Sequence, residues 1–412
     1  MKYGCIGEKL GHSFSKEIHG MIADYDYTLR ELPKESVGEF IRKKDFQAIN
    51  VTIPYKETVM PYLDHIDKAA MIIGSVNTVV NRDGVLYGYN TDFYGMSRLI
   101  EKCGVDPAQK KVLILGSGGT SKTAFAVATD MGAGEIIKVS RSKKGDMISY
   151  EDMYAHHTDA DMIINTTPVG MFPDISGKSV DVSRFSRLLC YVDAVYNPLR
   201  PTAVLDALSR GISASGGLYM LVAQAVRASE IFLNTSLPKT TLDTVFNKIC
   251  AGKENAVLIG MPSSGKSTVG RLVAESLERK FIDTDDIIRE IAGVSIPEIF
   301  KKYGEKYFRD LESEAIRIAS KETSAVIATG GGAVLKQENV LELKKNGRLF
   351  FLDRSPEKLI ATSDRPLSSD REALISLYNA RYDVYCNSAD VRLDGDVTAE
   401  AVAKTVTEYF VK

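Results

Sequence analysis

A short apolar strand, a glycine-rich loop and a helix follow one another at two separate places in this chain. The first copy is Lys111–Leu115, the loop Gly116-Ser117-Gly118-Gly119, and a helix-like run over 120–131. The second is Ala256–Ile259, the loop 260–267, and another helical pattern. Such a loop typically opens a doubly wound α/β sheet and binds phosphate groups at the helix N-terminus. The repetition therefore predicts two α/β units, each with its own nucleotide.

The composition agrees with that prediction and limits the classes of binding partner that are expected. The chain has 412 residues, of which 44% are hydrophobic and 26% charged, and its formal net charge is −2. This length suits two or three domains, and the near-neutral charge removes the usual electrostatic case for a nucleic acid or an anionic membrane. We therefore expect small-molecule substrates, with a homodimer left open.

The location of the chain is predicted from what its sequence lacks. No apolar run approaches the roughly 18 residues of a membrane span, and the start has no apolar core of a signal peptide. The 5 cysteines are far apart, with no CxxC pair, and indicate buried thiols in a reducing compartment. A cytoplasmic enzyme is the natural expectation.

Short β-rich and amphipathic runs fill the rest of the first half. The expected strands are 27–32, 48–53, 75–81, 85–89, 135–140, 162–165 and 189–194. The expected helices are 36–43, 92–104, 218–232 and 240–250. Asp83-Gly84 between two of the strands predicts a tight hairpin turn. The short polar stretch 251–254 is predicted to be a linker, with a new α/β unit over 255–412.

The second glycine loop fits the pattern G-x-x-x-x-G-K-[ST] in full, from Gly260 to Ser267. Its backbone N–H groups would cradle ATP phosphates, Lys266 would bridge the β- and γ-phosphates, and Ser267 would ligate Mg²⁺. The predicted ATP contacts within the loop and the following helix are Gly260, Ser264, Gly265, Lys266, Ser267 and Thr268. The alternative, a glycine-rich turn before a helix, is weakened by the complete motif and its context.

Further polar residues follow the later strands of the second half. Asp283 and Asp285 end a strand where α/β sheets bind ligands, and in alternation they would point to different partners. The alternative for Asp285 is a helix N-cap. Arg309 could grip a carboxylate, and Gly330-Gly331-Gly332 indicates a close ligand.

These motifs, with Arg365-Pro366-Leu367 and Arg381, resemble those of the shikimate kinase family over 254–412. The resemblance implies a P-loop kinase fold of the nucleoside monophosphate kinase type, with Asp283 near Mg²⁺ and Arg365 closing over ATP. It assigns shikimate to Asp285, Arg309, Gly331, Gly332 and Arg381, with Asp285 accepting a hydrogen bond from the reacting hydroxyl. The stretch 360–365 before Arg365 departs from the family, because it makes a shorter and less basic lid.

The first half carries a looser glycine loop, in which Gly116, Gly118 and Gly119 precede a helix. A tight turn is the alternative, but the position between strand and helix favours a dinucleotide. The next strand ends in Ser140-Arg141-Ser142, without the acid that holds an NAD ribose. An arginine flanked by hydroxyls suits the 2′-phosphate of NADP, the alternative being a solvated arginine.

A reductase also needs a proton donor for the carbonyl oxygen. Lys56 follows a strand and Asp92 follows the hairpin, and a Lys–Asp pair can pass a proton to one hydroxyl. Each would more often be a surface charge, and spacing alone does not bring them together.

The first half resembles the shikimate dehydrogenase family over 1–250. The matching stretches are 11–15 with His19, 50–56, 75–78, 88–92, 165–171 and 217–224. Within the first of these, Lys16 and Gly20 depart from the family's usual residues. The resemblance implies a two-lobed enzyme, with a substrate lobe of 1–92 plus 213–250 and a Rossmann-type NADP lobe of 93–212.

The same resemblance assigns roles to individual residues. Lys56 and Asp92 form the catalytic pair. The substrate contacts are Ser13 and Ser15 for the carboxylate, Thr52, Asn77 and Gln224 for hydroxyls, and Tyr196 nearby. The NADP contacts are Gly116, Gly118, Gly119, Ser140, Arg141, Ser142, Gly217 and Met220.

The two halves together predict a bifunctional shikimate-pathway enzyme. The first half would reduce 3-dehydroshikimate with NADPH, and the second would phosphorylate shikimate with ATP and Mg²⁺. Two alternatives stay open: a first half that uses quinate or NAD, and a half that has become a binding module without catalysis.

Overall fold

The structure is a computed structural model, and it describes residues 1–11, 14–142, 145–359 and 371–411. The predicted site residues Ser13 and Arg365 lie outside the described residues. The chain divides into two compact units. The first comprises Met1–Asn197 with Pro201–Ile249, and the second comprises Pro198–Arg200 with Cys250–Lys412.

A mixed sheet forms the first half of the first unit. Its strands are β1 (Tyr3–Gly7), β2 (Tyr27–Glu31), β3 (Ala48–Val51), β4 (His65–Ile66), β5 (Thr78–Arg82) and β6 (Val85–Tyr89), in the order β2-β1-β3-β5-β6-β4. The helices of this part are α1 (Ser15–Ile22), α2 (Val37–Lys43), α3 (Lys68–Ile73) and α4 (Thr91–Lys102). Strands β5 and β6 are antiparallel, and Asp83 and Gly84 between them both have positive φ, which confirms the predicted hairpin.

A parallel Rossmann-like sheet follows. Its strands are β7 (Lys111–Leu115), β8 (Glu135–Val139), β9 (Met162–Asn165), β10 (Cys190–Asp193) and β11 (Ser213–Ser215), in the order β11-β10-β9-β7-β8. The helices of this part are α5 (Gly119–Asp130), α6 (Tyr150–His156), α7 (Thr202–Ser209), α8 (Leu218–Leu233) and α9 (Thr241–Lys253). The order reverses beside β7, so a ligand crevice is expected at the carboxyl end of that strand, where the glycine loop lies.

The second unit is built on another parallel sheet. Its strands are β12 (Asn255–Ile259), β13 (Lys280–Asp283), β14 (Ala325–Ala328), β15 (Gly347–Asp353) and β16 (Val391–Asp394), in the order β13-β14-β12-β15-β16. The helices are α10 (Lys266–Leu277), α11 (Thr284–Ala292), α12 (Ile296–Ala319), α13 (Gln337–Asn346), α14 (Arg371–Ser388) and α15 (Ala399–Val411). Every residue of the central strands β12 and β14 is buried, as helices on both faces require.

Three sequence-based boundaries differ from the structure. The predicted linker 251–254 is not a loop, because α9 continues through Lys253 and only Glu254 separates it from β12. Strand β11, placed by sequence in the substrate lobe, pairs with β10 in the nucleotide sheet. Asp285 does not alternate with Asp283 along a strand, because the strand ends at Asp283 and Asp285 lies in the first turn of α11.

Candidate active sites

Lys56 and Asp92 meet in the first unit. Lys56 lies in the loop after β3, and Asp92 lies in the first turn of α4, whose N-cap is Asn90. The Lys56 Nζ donates to Asp92 Oδ2 at 2.5 Å, and the two side chains are 26% and 17% exposed. The pair is therefore partly sheltered yet reachable, which suits groups that exchange a proton with a bound ligand.

Polar side chains from two other parts of the first unit, the segment before β5 and helix α8, meet at Thr91, the neighbour of Asp92. Asn77 Oδ1 accepts a hydrogen bond from the backbone N–H of Thr91 at 2.7 Å, and the Thr91 hydroxyl lies 3.4 Å from Gln224 Oε1 on α8. Thr52 is half-buried in the same loop as Lys56. The structure thus brings Asn77 and Gln224 together around Thr91, the neighbour of Asp92.

The start of α1 supplies the next part of this site. Ser15 is the first residue of α1, and the ring of the preceding Phe14 packs edge-on against the Tyr196 ring, with centroids 5.4 Å apart. Burial raises the pKa of the Tyr196 hydroxyl, so it remains a neutral hydrogen-bond donor. Tyr196 therefore lies beside the segment that carries Ser15.

The glycine loop after β7 leaves room for a phosphate. Gly116 has φ +119°, and a Cβ there would lie 2.5 Å from Thr166 Oγ1. Gly118 caps α5, and a Cβ on Gly118 or Gly119 would meet nothing within 4 Å. Open space at a helix N-terminus fits the pyrophosphate of a dinucleotide.

The end of β8 presents an exposed cation beside this loop. The Ser140 hydroxyl donates to the Ser142 carbonyl at 2.7 Å and accepts from the Ser142 N–H at 3.2 Å, which fixes a turn. Arg141 lies within that turn and is exposed. The chemistry of this group fits a 2′-phosphate.

Close packing fixes Gly217 and Met220 at the start of α8. A Cβ on Gly217 would lie 2.2 Å from the Ala194 carbonyl oxygen, so only glycine fits there. A Cβ on Gly95 of α4 would lie 2.7 Å from the Met220 carbonyl oxygen. The helix that carries Asp92 and the helix that carries Gln224 are therefore in close contact.

The turn that leads to Tyr196 rests on a buried acid. Asp193 is fully buried and accepts hydrogen bonds from Asn165 Nδ2 at 2.9 Å, the Tyr191 hydroxyl at 2.7 Å and the Val195 N–H at 2.9 Å. Burial raises the pKa of the Asp193 carboxyl to about 6, against the effect of these donors.

The phosphate loop of the second unit holds its own lysine. Lys266 is buried, and its Nζ donates to the carbonyl oxygens of Gly260 at 2.9 Å and Met261 at 2.7 Å. Gly265, with φ +96°, precedes α10 as its N-cap. Ser264 therefore lies in the loop and Thr268 in the first turn of α10, and the ammonium group of Lys266 is held against the loop backbone at this helix N-terminus.

Two oxygen donors meet at the edge of this loop. The Ser267 hydroxyl donates to Asp283 Oδ2 at 2.7 Å, and Asp283 Oδ1 caps α11 by accepting from the Asp285 N–H at 3.0 Å. A hydroxyl and a carboxylate are hard oxygen ligands, which fit Mg²⁺ beside a phosphate. Asp283, rather than Asp285, is the helix N-cap.

A cavity of about 280 Å³ joins the phosphate loop to Asp285 and to the first two glycines of the triplet. Its lining includes Lys266, Ser267, Asp283, Asp285, Gly330 and Gly331. A phosphate donor and an acceptor could therefore meet within one space.

An arginine and a buried acid form one wall of the ligand-binding region. Arg309 Nη1 donates to Glu312 at 2.8 Å, and Glu312 is 1% exposed. A Cβ on Gly330 would lie 3.0 Å from both Asp285 Oδ1 and Glu312 Oε1, and a Cβ on Gly332 would overlap the Arg309 guanidinium at 1.7 Å. Burial raises the pKa of Glu312, while Arg309 opposes that rise.

Arg381 approaches from α14. Its Nη1 donates to the Gly331 carbonyl at 2.9 Å, and burial lowers its pKa. The structure thus brings Asp285, Arg309 and Arg381 around the glycine triplet.

Sequence reasoning missed Thr91, Asp193 and Glu312. Glu312 lies three residues after Arg309 on α12, and that spacing could have suggested an ion pair. The same spacing occurs between exposed charges on many helices, so it does not reveal burial. Nothing in the local sequence marks Asp193 as an ionisable group inside the nucleotide sheet.

Family models match both parts of the chain. A model described as the shikimate dehydrogenase substrate binding domain matches residues 5–79, and one described as shikimate kinase matches residues 262–410. Among the described residues, no helix has the length and apolar character to cross a membrane.

Relatives of known sequence or structure match the first part. A shikimate dehydrogenase (NADP(+)) of Clostridium perfringens is 35% identical over 265 residues, covering 60% of this chain and 97% of that relative. Shikimate dehydrogenase 1 of Peptoclostridium difficile matches with a TM-score of 0.55 and 35% identity over 60% of this chain and 98% of that one. A chorismate mutase/shikimate 5-dehydrogenase fusion of Clostridium acetobutylicum matches with a TM-score of 0.57 and 34% identity, over 60% and 96%.

Proposed function

The chain belongs to the shikimate dehydrogenase family and carries a shikimate kinase domain, which makes it a bifunctional shikimate-pathway enzyme, and we propose how its residues divide the chemistry. The first unit reduces 3-dehydroshikimate to shikimate with NADPH, and the second phosphorylates shikimate with ATP. The Lys56–Asp92 contact of 2.5 Å, next to the Thr91 side chain that contacts Asn77 and Gln224, is the observation that carries the first assignment.

In the first unit, NADPH supplies the hydride. Lys56 donates a proton to the carbonyl oxygen as that oxygen becomes a hydroxyl, and Asp92 orients the ammonium group and accepts a hydrogen bond from the product. Thr52, Asn77 and Gln224 bind the ring hydroxyls. Ser15, together with Ser13, binds the carboxylate, and the neutral Tyr196 hydroxyl donates a hydrogen bond to the substrate.

The cofactor would be held at the nucleotide sheet of the first unit. Gly116, Gly118 and Gly119 leave space for the pyrophosphate at the start of α5, and Ser140, Arg141 and Ser142 bind the 2′-phosphate. Gly217 and Met220 contact the nicotinamide. The substrate lobe is residues 1–92 with α8 and α9, and the nucleotide lobe lies between them and includes β11.

In the second unit, the 280 Å³ cavity is the observation that supports phosphoryl transfer. Arg309 and Arg381 bind the shikimate carboxylate between them, and Gly331 and Gly332 allow the ring to approach the backbone. Asp285 accepts the hydrogen bond of the hydroxyl that is phosphorylated, and Lys266, with Arg365, stabilises the negative charge of the transferring group.

The metal that such a transfer requires would be held by Ser267 and Asp283, whose oxygens lie 2.7 Å apart. Bound Mg²⁺ neutralises charge on the β- and γ-phosphates. Within the chain, Asp283 also caps α11 and thereby holds Asp285 in the first turn of that helix.

A coupled assay on the full chain tests the whole assignment. Given 3-dehydroshikimate, NADPH and MgATP, the wild-type chain is expected to consume NADPH and to form shikimate 3-phosphate in the same reaction. Omission of ATP should stop the reaction at shikimate, and chelation of divalent cations should do the same. Consumption of NADPH without ATP-dependent phosphorylation would contradict the kinase assignment, and phosphorylation of added shikimate alone would contradict the dehydrogenase assignment.

A further inference from the structure

Arg354 is a cation beside the phosphate loop with no place in the chemistry described above. It directly follows β15, and its Nη1 lies 3.7 Å from the position that a Cβ on Gly265 would occupy. Its Nε is buried and has no hydrogen-bond partner in the part of the chain that the structure describes. A buried guanidinium nitrogen without a partner is costly, so a missing acceptor at this place is the natural explanation.

The acids near Arg354 have other partners. The Asp353 carboxylate accepts from Arg392 Nε at 2.7 Å. The Asp396 carboxylate accepts from the Ser355 N–H at 2.9 Å, and Lys358 lies 3.7 Å from it. The hydrogen bond from the Ser355 N–H lowers the pKa of the Asp396 carboxyl, and the positive charge of Arg354 helps to lower it, but no salt bridge joins Arg354 to an acid among the described residues. Its guanidinium donors are therefore left for an external anion.

The strand order fixes which part of a nucleotide Arg354 would meet. Asp283, Asp285 and Gly330 follow β13 and β14, which lie on one side of β12, whereas Arg354 follows β15 on the other side. If the transferred phosphate lies over Asp285, the rest of the nucleotide must extend from the phosphate loop toward β15. The backbone N of Arg354 also lies 3.0 Å from the position of a Cβ on Gly395. The backbone at Arg354 is therefore closely packed against Gly395.

The following sequence supplies little further positive charge. Residues 355–370 contain Lys358 and Arg365 against the acids Glu357, Asp364 and Asp370. Arg354 is thus the arginine that the described fold places next to the phosphate loop on the β15 side.

We propose that Arg354 binds the α- and β-phosphates of the nucleotide and is a second cation of the phosphate loop, in addition to Lys266. The inference rests on the proposed kinase function for the identity of the nucleotide. A guanidinium offers paired donors that match two phosphate oxygens, and charge-assisted contacts of this kind are among the strong ones. Because the contact lies away from the transferred γ-phosphate, it serves nucleotide affinity more than the rate of transfer.

The test compares Arg354→Gln and Arg354→Lys with wild type in the full-length chain. MgADP affinity is measured by calorimetry without shikimate, and inorganic tripolyphosphate is measured as a competitor of ATP. Arg354→Gln is expected to weaken the binding of MgADP and of tripolyphosphate by about tenfold or more. Its kcat at saturating ATP should stay within about threefold of wild type. Arg354→Lys should recover part of the affinity, because it keeps the charge but not the paired donors.

Arg317→Gln is the matched control, since Arg317 is 52% exposed on α12, where it forms an ion pair with Glu314. Thermal unfolding establishes whether each variant is folded. If Arg354→Gln does not fold, the affinities of Arg354→Lys decide the test. Unchanged affinity for both ligands would overturn the inference. Weaker binding of MgADP with unchanged binding of tripolyphosphate would also overturn the inference, because Arg354 would then contact the nucleoside rather than the phosphates. A wild-type chain that binds MgADP but phosphorylates no shikimate would contradict the proposed function instead.

Discussion

Two buried titratable residues of the first unit give its stability opposite dependences on pH. Asp193 has its pKa raised by burial from 3.8 to about 6. His19 is buried, stacks on Tyr27 with ring centroids 4.0 Å apart, and has its pKa lowered by burial from 6.5 to about 3. Folding thus favours the neutral form of both residues. The neutral form of Asp193 is protonated, whereas the neutral form of His19 has lost its proton.

The sign of each pH effect follows from that difference. The folded state binds a proton at Asp193 more tightly than the unfolded state, so this stabilisation is present below about pH 4 and is lost as the pH rises through 6. The folded state disfavours a proton at His19, so that stabilisation is present above about pH 6.5 and is lost as the pH falls toward 3.

Urea unfolding of Asp193→Asn and His19→Gln at several pH values tests both effects. Between about pH 6.5 and pH 4, the free energy of unfolding of wild type relative to Asp193→Asn should rise by about 2 kcal/mol. Relative to His19→Gln it should fall by about 3 kcal/mol. The exposed His156, replaced by Gln, is the control. Parallel pH profiles for wild type and both variants would show that neither burial matters.

Arg141 is expected to decide the choice of cofactor. Arg141→Ala removes a charge-assisted contact that only the 2′-phosphate makes, so the KM for NADPH should rise by about tenfold or more while the KM for NADH stays within about twofold. Initial rates with each cofactor measure this. Arg187→Ala, which removes an arginine that is 67% exposed, is the control. Equal increases for both cofactors would make Arg141 an ordinary surface residue.

At the scale of elements, helix starts position most of the proposed site. Asn90 caps α4 just before Asp92, Gly118 caps α5, Gly265 caps α10, and Asp283 caps α11 just before Asp285. The sequence predicted that these segments were ligand-binding. It placed Asp285 on a strand because alternating polar residues are equally compatible with a strand end and with a capped first helical turn.

The loop between β14 and α13 is expected to set the position of Arg309. A Cβ on Gly332 would overlap the Arg309 guanidinium at 1.7 Å, and Glu305 and Glu312 hold that guanidinium in place. Gly332→Ala should therefore displace Arg309 and raise the KM for shikimate by about tenfold, with little change in the KM for ATP.

Steady-state kinetics of the kinase reaction measure this effect. Gly20→Ala is the control, because a Cβ on Gly20 meets nothing within 4 Å and Gly20 lies in the first unit. An unchanged KM for shikimate in Gly332→Ala would mean that Arg309 does not bind the carboxylate in the position described. Thermal unfolding separates that outcome from a loss of folding.

At the scale of the whole molecule, the chain divides into two compact units, and one site is proposed in each. Lys56→Ala should abolish the oxidation of shikimate by NADP⁺ and leave the ATP-dependent phosphorylation of shikimate within about twofold. Lys266→Ala should do the reverse, because it removes the cation of the phosphate loop. Each activity is measured alone on both variants. Loss of both activities in either folded variant would contradict the assignment of separate sites.

The sequence by itself determined the two α/β units, their glycine loops and the chemistry of most site residues, because phosphate loops and strand-end polar groups are local patterns. Only the tertiary structure decided that Lys56 meets Asp92 and that Gln224 lies beside Thr91, because these residues come from elements far apart in the chain. It also decided where β11 pairs and that α9 continues through the expected linker. Burial of Asp193 and Glu312 depends on packing around them from all sides, and no local pattern of residues carries that information.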